Sequence, residues 1–163
     1  MNPEPHPTHR RLEGSAEYDA AMDQLLTRPV QRLRLFDRQL GVAFNSNRRH
    51  DTLRAFLLAR RSNRIQIVVH DSANLWRDCP RLINLLRSFA HAIEIHETEP
   101  QAKGVYDHFA IADDRDYLRR FHYEDSRGLL ALDDPQGAQG LIQRFDEIWE
   151  ASAPSTSATT LGL

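Results

Sequence analysis

The chain has 163 residues, of which 40% are apolar and 27% charged, with a formal net charge of −2 and a single cysteine. A domain of this length buries roughly 70% of its extended surface, so this composition excludes wholesale disorder. One cysteine excludes an intramolecular disulfide and a cysteine-based zinc site, and no apolar run reaches the length of a membrane span or forms a secretory leader. We therefore expect a soluble, cytoplasmic protein.

Both ends of the chain are predicted to be flexible. Residues 1–14 hold three prolines and few apolar side chains, which is typical of a disordered arm. The last dozen residues, 152–163, are half serine and threonine and are predicted to form a disordered tail. The folded part is therefore expected to be a single domain over residues 15–151.

Helix and strand patterns alternate through the first half of the folded part. In chain order they predict a helix capped by Ser15 and ended near Pro29, a strand at 31–35, a helix at 48–61, a strand at 65–69, a helix from Pro80 and a strand at 93–95. The segment Ile65–Val69 is almost wholly β-branched, which indicates an interior strand covered on both faces. This order of elements implies crossover connections and a parallel core.

The pattern changes in the second half. Strand-like segments at 108–112, 117–123 and 128–132 are separated by only a few residues, which is too short for parallel crossovers. We therefore expect antiparallel strands here, with a turn at 113–116, and a closing helix after Pro135. The predicted fold class is α/β: a three-layer sandwich whose mixed sheet, with a parallel core and an antiparallel C-terminal hairpin, is flanked by helices.

Common catalytic motifs are absent from the sequence. It contains no phosphate-binding loop, no G-x-G-x-x-G, no H-E-x-x-H and no G-x-S-x-G. Histidine pairs such as His108 with His122 lack a third ligand, so neither a metal site nor a cofactor is predicted. Cys79, near a predicted helix start, is interpreted as an inert boundary residue rather than as a nucleophile.

Arginine supplies 20 of the 21 basic residues, and Lys103 is the exception. Guanidinium groups suit phosphate recognition, although arginine also replaces lysine on solvated surfaces when the coding sequence is GC-rich. The arginines at 48, 49, 60, 61 and 64 surround the second predicted helix and leave nucleic-acid binding open. The net acidic composition favours a solvated helix face instead.

Two polar segments are candidates for a ligand site. His70 and Asp71 follow the interior strand, at the edge where open α/β sheets bind ligands. The alternative interpretation is that Asp71 caps the turn and His70 is partly buried and hydrogen-bonded. The second candidate runs from Tyr106 to Asp113, a strand that leads into an acidic turn.

Strand–helix repeats followed by this histidine-bearing strand, an aspartate turn and a return strand resemble one half of the phospholipase D superfamily. The resemblance implies a motif H-x-K-x4-D, in which the histidine attacks phosphorus, the lysine holds phosphate oxygens and the aspartate orients the histidine. This sequence instead reads Y-x-H-x4-D, with Tyr106, His108 and Asp113 at the three positions. A tyrosine and a largely neutral histidine are poor substitutes for a nucleophile and a permanent cation.

More narrowly, the chain resembles a bacterial family of uncharacterised domains, the DUF7931 type, which is related to phospholipase D but lacks its catalytic residues. The resemblance covers most of residues 30–151. It rests on patterns at 32–39, 64–71, 82–95, 108–120 and 145–149.

Three functional hypotheses follow. The first is a non-catalytic module that binds an anionic or phosphate-bearing ligand in a pocket lined by His70, Asp71, Tyr106, His108 and Asp113. The second is an interaction subunit that forms a homodimer or pairs with an enzyme, because the resemblance implies that two halves build one active site. The third is a residual phosphodiesterase that uses Tyr106, which Arg119 and Arg120 would assist poorly because alternation places them on opposite faces of the sheet.

Overall fold

The computed structural model describes residues 6–122, 124 and 127–155. The strands of this part are β1 (Thr8–Leu12), β2 (Arg32–Asp37), β3 (Arg64–Val69), β4 (Ile93–Thr98), β5 (His108–Ala112), β6 (Asp116–Arg120), β7 (Gly128–Leu132) and β8 (Ser152–Pro154). The helices are α1 (Ser15–Leu26), α2 (Asn47–Ala59), α3 (Leu75–Asp78), α4 (Pro80–Ser88) and α5 (Pro135–Glu150), with short 3-10 helices at Val42–Asn45 and Pro100–Ala102.

All eight strands form one mixed sheet in the order β1-β7-β6-β5-β2-β3-β4-β8. The pairs β2–β3 and β3–β4 are parallel, and the other neighbouring pairs are antiparallel. The predicted fold class, a mixed sheet with a parallel core and an antiparallel C-terminal part flanked by helices, is confirmed.

The sheet separates two hydrophobic cores. One face packs against α1, α2 and α4 through side chains such as Leu33 and Leu118, and the other packs against α5 through Phe36, Phe109 and Phe145. Successive strand residues point to opposite faces, so each buried strand contributes to both cores. Burying one such side chain stabilises the fold by about 1.5–3 kcal/mol.

The prediction of flexible ends is wrong for two short segments, which form the two edge strands of the sheet. Thr8–Leu12 pairs along its whole length with β7, although it was assigned to the disordered arm. Ser152–Pro154 pairs with the end of β4, although it was assigned to the disordered tail. Backbone hydrogen bonds hold both segments, and they require no apolar side chains. The remaining terminal residues, 1–5 and 156–163, lie outside the described residues.

Element boundaries differ from the prediction by a few residues. β2 continues to Asp37 and β4 to Thr98, while β6 runs from Asp116 to Arg120 rather than over 117–123. Tyr123, the predicted end of that strand, lies outside the described residues. In the ranges that the structure describes, no helix has the length and apolar character needed to cross a membrane.

Candidate functional site

The carboxyl ends of the parallel strands β2, β3 and β4 meet at one edge of the sheet, here called the carboxyl edge. β5 is antiparallel to β2, so its first residue, His108, lies at the carboxyl edge, and the turn after its last residue lies at the opposite, amino edge. The structure brings His70 and His108 to the same side chain: both imidazoles contact the Phe36 ring edge-on, with ring centroids 5.2 and 6.2 Å away.

His108 is buried, and both of its ring nitrogens face protein groups. Nε2 accepts a hydrogen bond from the backbone amide of Arg38 (3.2 Å), and Nδ1 lies 3.0 Å from a carboxylate oxygen of Asp37. His108 thus lies between an amide donor and a carboxylate. Its imidazole, unlike the ammonium group of a lysine, is not a permanent cation.

His70 is held by two hydrogen bonds at the end of β3. Its Nε2 lies 2.6 Å from the carbonyl oxygen of Val105, and its Nδ1 lies 2.6 Å from the hydroxyl of Thr98. Because a carbonyl only accepts, Nε2 is the donor and Nδ1 accepts from the hydroxyl. Burial lowers the pKa of His70, and the charge of Lys103 lowers it further. These contacts match the interpretation of His70 as a partly buried, hydrogen-bonded residue.

Asp71 and Tyr106 lie at the surface of the carboxyl edge. The Asp71 carboxylate accepts from the amide of Ala73 (2.9 Å), which closes the turn after β3. Tyr106 is 52% exposed, and its ring packs against His122 with centroids 5.7 Å apart. The turn-capping interpretation of Asp71 thus agrees with its contacts, and Tyr106 projects towards solvent.

Asp113 lies at the amino edge instead, which corrects its assignment to a shared pocket. A five-residue strand at about 3.3 Å per residue separates it from His108 by about 17 Å. Its carboxylate accepts hydrogen bonds from the amides of Val30, Gln31 and Arg32 at 2.9–3.2 Å. Its backbone has φ 54°, in the left-handed region that aspartate tolerates better than most residues. Asp113 therefore organises the start of β2, and it contacts no histidine in the part of the chain that the structure describes.

A cavity of about 270 Å³ lies at the carboxyl edge between the sheet and α1, and we call it the carboxyl-edge pocket. Its wall includes Asp37, which also contacts His108, and Arg120, the cross-strand neighbour of His108. The Arg120 guanidinium lies 5.8 Å from the centre of the Tyr18 ring, which lines the same pocket. A permanent cation therefore lies on the strand next to His108.

Arg49, a second cation of the carboxyl-edge pocket, is paired with two carboxylates. Arg49 is buried and donates from Nε to Asp23 (2.8 Å), and its Nη2 lies 3.6 Å from a carboxylate oxygen of Asp19. Burial, followed by the negative charge of Asp37, raises the pKa of Tyr18, so its hydroxyl stays protonated. The pocket thus offers a guanidinium and a hydroxyl to an anion, and carboxylates to hydroxyl groups of the same ligand.

Alternation places Arg119 and Arg120 on opposite faces, and their contacts agree. Arg119 lies 3.9 Å from Asp107 and 5.2 Å from the ring centre of Phe121, whereas Arg120 faces Tyr18. Sequence reasoning missed Asp37 and Tyr18 as pocket residues. Asp37 had a usable signal, since it is a charged residue directly after a buried strand, but the predicted strand stopped at residue 35.

Cys79 is buried, and its thiol lies 3.3 Å from the carbonyl oxygen of Gly41. Burial, together with the charge of Asp78, raises its pKa to about 11. A thiol of this kind stays protonated at neutral pH and is a poor nucleophile. No group of three or more His, Cys, Asp or Glu side chains within the described ranges is arranged to hold a metal ion.

We expect the free energy of unfolding to fall as the pH drops below about 6.5. Burial lowers the pKa of His70 and of His96, so between the folded and unfolded pKa values the unfolded chain binds more protons. Stability therefore rises with pH through this window and is lost on acidification. Urea unfolding at about pH 5.5 and about pH 7.5 measures the difference.

The variant His70→Gln is expected to lose less stability between these two pH values than the wild type. His91→Gln, which changes an exposed histidine, serves as the control and should keep the wild-type pH dependence. Identical pH slopes for His70→Gln and the wild type would contradict the assignment.

The strand order and the flanking helices define a phospholipase D-like fold, as solved structures show. Nuc from Salmonella typhimurium, a phospholipase D family member, matches with a TM-score of 0.67 and 11% identity over 92% of this chain and 99% of Nuc. The archaeal chromatin protein TrmBL2 matches with a TM-score of 0.66 and 12% identity over 90% of this chain and 54% of TrmBL2. Phosphatidylserine synthase from Haemophilus influenzae Rd KW20 matches with a TM-score of 0.59 and 16% identity over 94% of this chain and 41% of the synthase.

The chain thus spans the length of Nuc but only about half of TrmBL2. At these identities the likeness is one of fold. A family model described as a domain of unknown function, DUF7931, matches residues 7–161. The chain belongs to this family, and the predicted phospholipase D-like fold is confirmed. No curated protein matches the chain.

Proposed function

We propose that this chain is a non-catalytic phospholipase D-like module that binds a small phosphate-bearing ligand in the carboxyl-edge pocket. One observation carries the proposal: a permanent cation, Arg120, lines the pocket on the strand next to His108, which stands at the lysine position of the motif that the resemblance implies. His108 contacts the amide of Arg38 and the carboxylate of Asp37, and Arg120 lines the pocket beside them. A guanidinium forms strong, charge-assisted hydrogen bonds with phosphate oxygens.

The same contacts argue against phosphodiesterase chemistry. A covalent phosphoenzyme requires a nucleophile beside a general base, with donors aimed at the phosphoryl oxygens. Tyr106 projects towards solvent beside His122, and the Nε2 of His108 already accepts an amide hydrogen bond. A residual phosphodiesterase that uses Tyr106 is therefore the less favoured alternative.

The volume and the lining residues of the carboxyl-edge pocket indicate which class of ligand fits it. A cavity of about 270 Å³ suits a phosphate ester with a few carbon atoms rather than a whole nucleotide. Arg120 and the Tyr18 hydroxyl favour the phosphate, and the carboxylates of Asp19 and Asp37 accept from hydroxyl groups. A phosphorylated polyol such as glycerol 3-phosphate combines these features.

Isothermal titration calorimetry with glycerol 3-phosphate and with inorganic phosphate tests the proposal. Arg120→Gln should weaken binding of glycerol 3-phosphate about 10- to 100-fold, because hydrogen bonds to charged groups contribute about 1.5–3 kcal/mol. Arg119→Gln is the matched control, since its side chain lies on the opposite face of the same strand, and it should bind like the wild type. Absence of binding to the wild type, or equal affinity in Arg120→Gln, would remove the carboxyl-edge pocket as the site.

Turnover of bis(p-nitrophenyl) phosphate distinguishes the binding module from the residual enzyme. The wild type should show no hydrolysis above the background of Tyr106→Phe. Hydrolysis that is lost in both Tyr106→Phe and His108→Ala would replace the proposal with the phosphodiesterase alternative.

Self-association is the second candidate function. Two aromatic side chains, Tyr106 and Phe121, are each 52% exposed at the carboxyl edge, and exposed aromatic residues are enriched at protein interfaces. Light scattering at micromolar concentration tests it. A mass equal to one chain would count against self-association and leave the pocket proposal in place.

A further inference from the structure

A second polar cavity, of about 500 Å³, lies at the amino edge, the end of the sheet opposite the carboxyl-edge pocket. We call it the amino-edge cavity. Arginines from three separate elements line it: Arg32 at the start of β2, Arg60 directly after α2, and Arg64 at the start of β3. No aromatic side chain belongs to its described wall, so the cavity is suited to charge recognition rather than to stacking.

Two of these arginines are forced together by the sheet. Arg32 and Arg64 are register partners on the parallel strands β2 and β3, and like charges side by side on neighbouring strands are unfavourable. Arg64 is oriented by hydrogen bonds to the carbonyl oxygens of Arg61 and Asn63, both 2.9 Å long. A bound anion would relieve the repulsion between the two guanidinium groups.

The arginines of this cavity have no acidic partner among the described residues. Arg32 and Arg60 make no side-chain ion pair there, and both are exposed. The two carboxylates of the wall are engaged elsewhere: Asp113 by three backbone amides and Asp114 by Arg34, at 3.1 Å. Three guanidinium groups therefore share the cavity wall with two carboxylates that each already have a partner.

We infer that the amino-edge cavity binds the diphosphate group of a small ligand, either inorganic pyrophosphate or a nucleoside diphosphate. The inference is independent of the proposed function, which concerns the opposite edge of the sheet. The three guanidinium groups can donate several hydrogen bonds to the oxygens of a diphosphate. The volume of the cavity is large enough for two phosphoryl groups. The acidic turn at Asp113 and Asp114 bounds the cavity on one side. A nucleic-acid backbone would extend across these carboxylates, whereas a compact ligand can remain beside the three arginines.

Isothermal titration calorimetry with pyrophosphate and with ADP tests the inference. Arg32→Gln and Arg60→Gln should each weaken binding of pyrophosphate at least about 10-fold, since each removes charge-assisted hydrogen bonds. Arg54→Gln removes an exposed charge from α2 outside the cavity and should bind like the wild type. Arg120→Gln should also bind pyrophosphate normally, which separates this cavity from the carboxyl-edge pocket. Thermal unfolding of each variant confirms that the fold is retained.

Comparing the affinities for pyrophosphate and ADP shows which kind of diphosphate ligand the cavity recognises. Equal affinities for pyrophosphate and ADP indicate that the diphosphate alone is recognised, whereas tighter binding of ADP indicates a nucleoside diphosphate. The inference is overturned if pyrophosphate does not bind, or if Arg32→Gln and Arg60→Gln bind it as the wild type does. It is also overturned if these variants lose only a salt-sensitive affinity for duplex DNA, because the site would then be a nucleic-acid surface.

Discussion

Asp116→Ala is expected to lower the free energy of unfolding by about 3–5 kcal/mol, the typical effect of removing one partner from a buried ion pair. The Asp116 side chain is fully buried and accepts hydrogen bonds from Nε and Nη2 of Arg28 at 3.0 and 3.2 Å. It also accepts from the backbone amide of Asp133 at 2.8 Å. In the alanine variant, the Arg28 guanidinium loses two hydrogen-bond acceptors and the backbone amide of Asp133 loses its acceptor. Urea unfolding at neutral pH measures the loss.

Two further variants make this expectation specific. Asp116→Asn keeps one carbonyl acceptor in the same place, so its loss of stability should be smaller than that of Asp116→Ala. Asp146→Ala removes an exposed carboxylate from α5 and should change the free energy of unfolding by less than about 0.5 kcal/mol. If Asp116→Ala were as stable as Asp146→Ala, the buried ion pair would contribute nothing to the fold.

Asp113→Ala is expected to lower the free energy of unfolding by about 2–3 kcal/mol. The substitution removes the acceptor of the amides of Val30, Gln31 and Arg32 and places alanine at φ 54°. The three amides are partly exposed, so water replaces some of the lost hydrogen bonds and keeps the effect below that of Asp116→Ala. Urea unfolding again gives the measurement.

The control for this position is Asp113→Asn, because asparagine tolerates the left-handed backbone and keeps one acceptor oxygen. It should retain most of the stability and all of the affinity for glycerol 3-phosphate at the carboxyl edge. Lost affinity in Asp113→Asn without lost stability would show that the aspartate of the Y-x-H-x4-D pattern acts at the carboxyl-edge pocket after all.

His108 and Asp113, two residues of the short Y-x-H-x4-D pattern, are expected to have different roles. His108 lies at the carboxyl edge, where Asp37 and an amide hold it, and Asp113 lies about 17 Å away at the amino edge. The aspartate ties the β5–β6 turn to the start of β2, which is a contribution to folding. Asp113 therefore serves the fold at the amino edge and lies apart from the carboxyl-edge pocket.

Part of the site was predictable from spacing alone. A five-residue strand between His108 and Asp113 spans about 17 Å, so the two side chains lie at opposite edges of any sheet that contains it. The same period placed Arg119 and Arg120 on opposite faces, and only Arg120 lines the carboxyl-edge pocket. Both statements depend on the geometry of one strand and require no knowledge of its neighbours.

The sequence by itself determined the elements and the fold class. Side-chain periodicity is a local property, and it identified the interior strand at Ile65–Val69, the amphipathic helices and the antiparallel C-terminal part. The edge strands Thr8–Leu12 and Ser152–Pro154 were decided only by the tertiary structure, because backbone pairing with a distant strand leaves no pattern in the side chains.

The tertiary structure also decided which polar groups meet. The contacts of His108 with Asp37 and with the amide of Arg38 form only because β5 pairs with β2. Arg32 and Arg64 become neighbours through the β2–β3 register, although 31 residues separate them in the chain. Contacts of this kind arise from the order of the strands in the sheet, and residue spacing along the chain carries no record of that order.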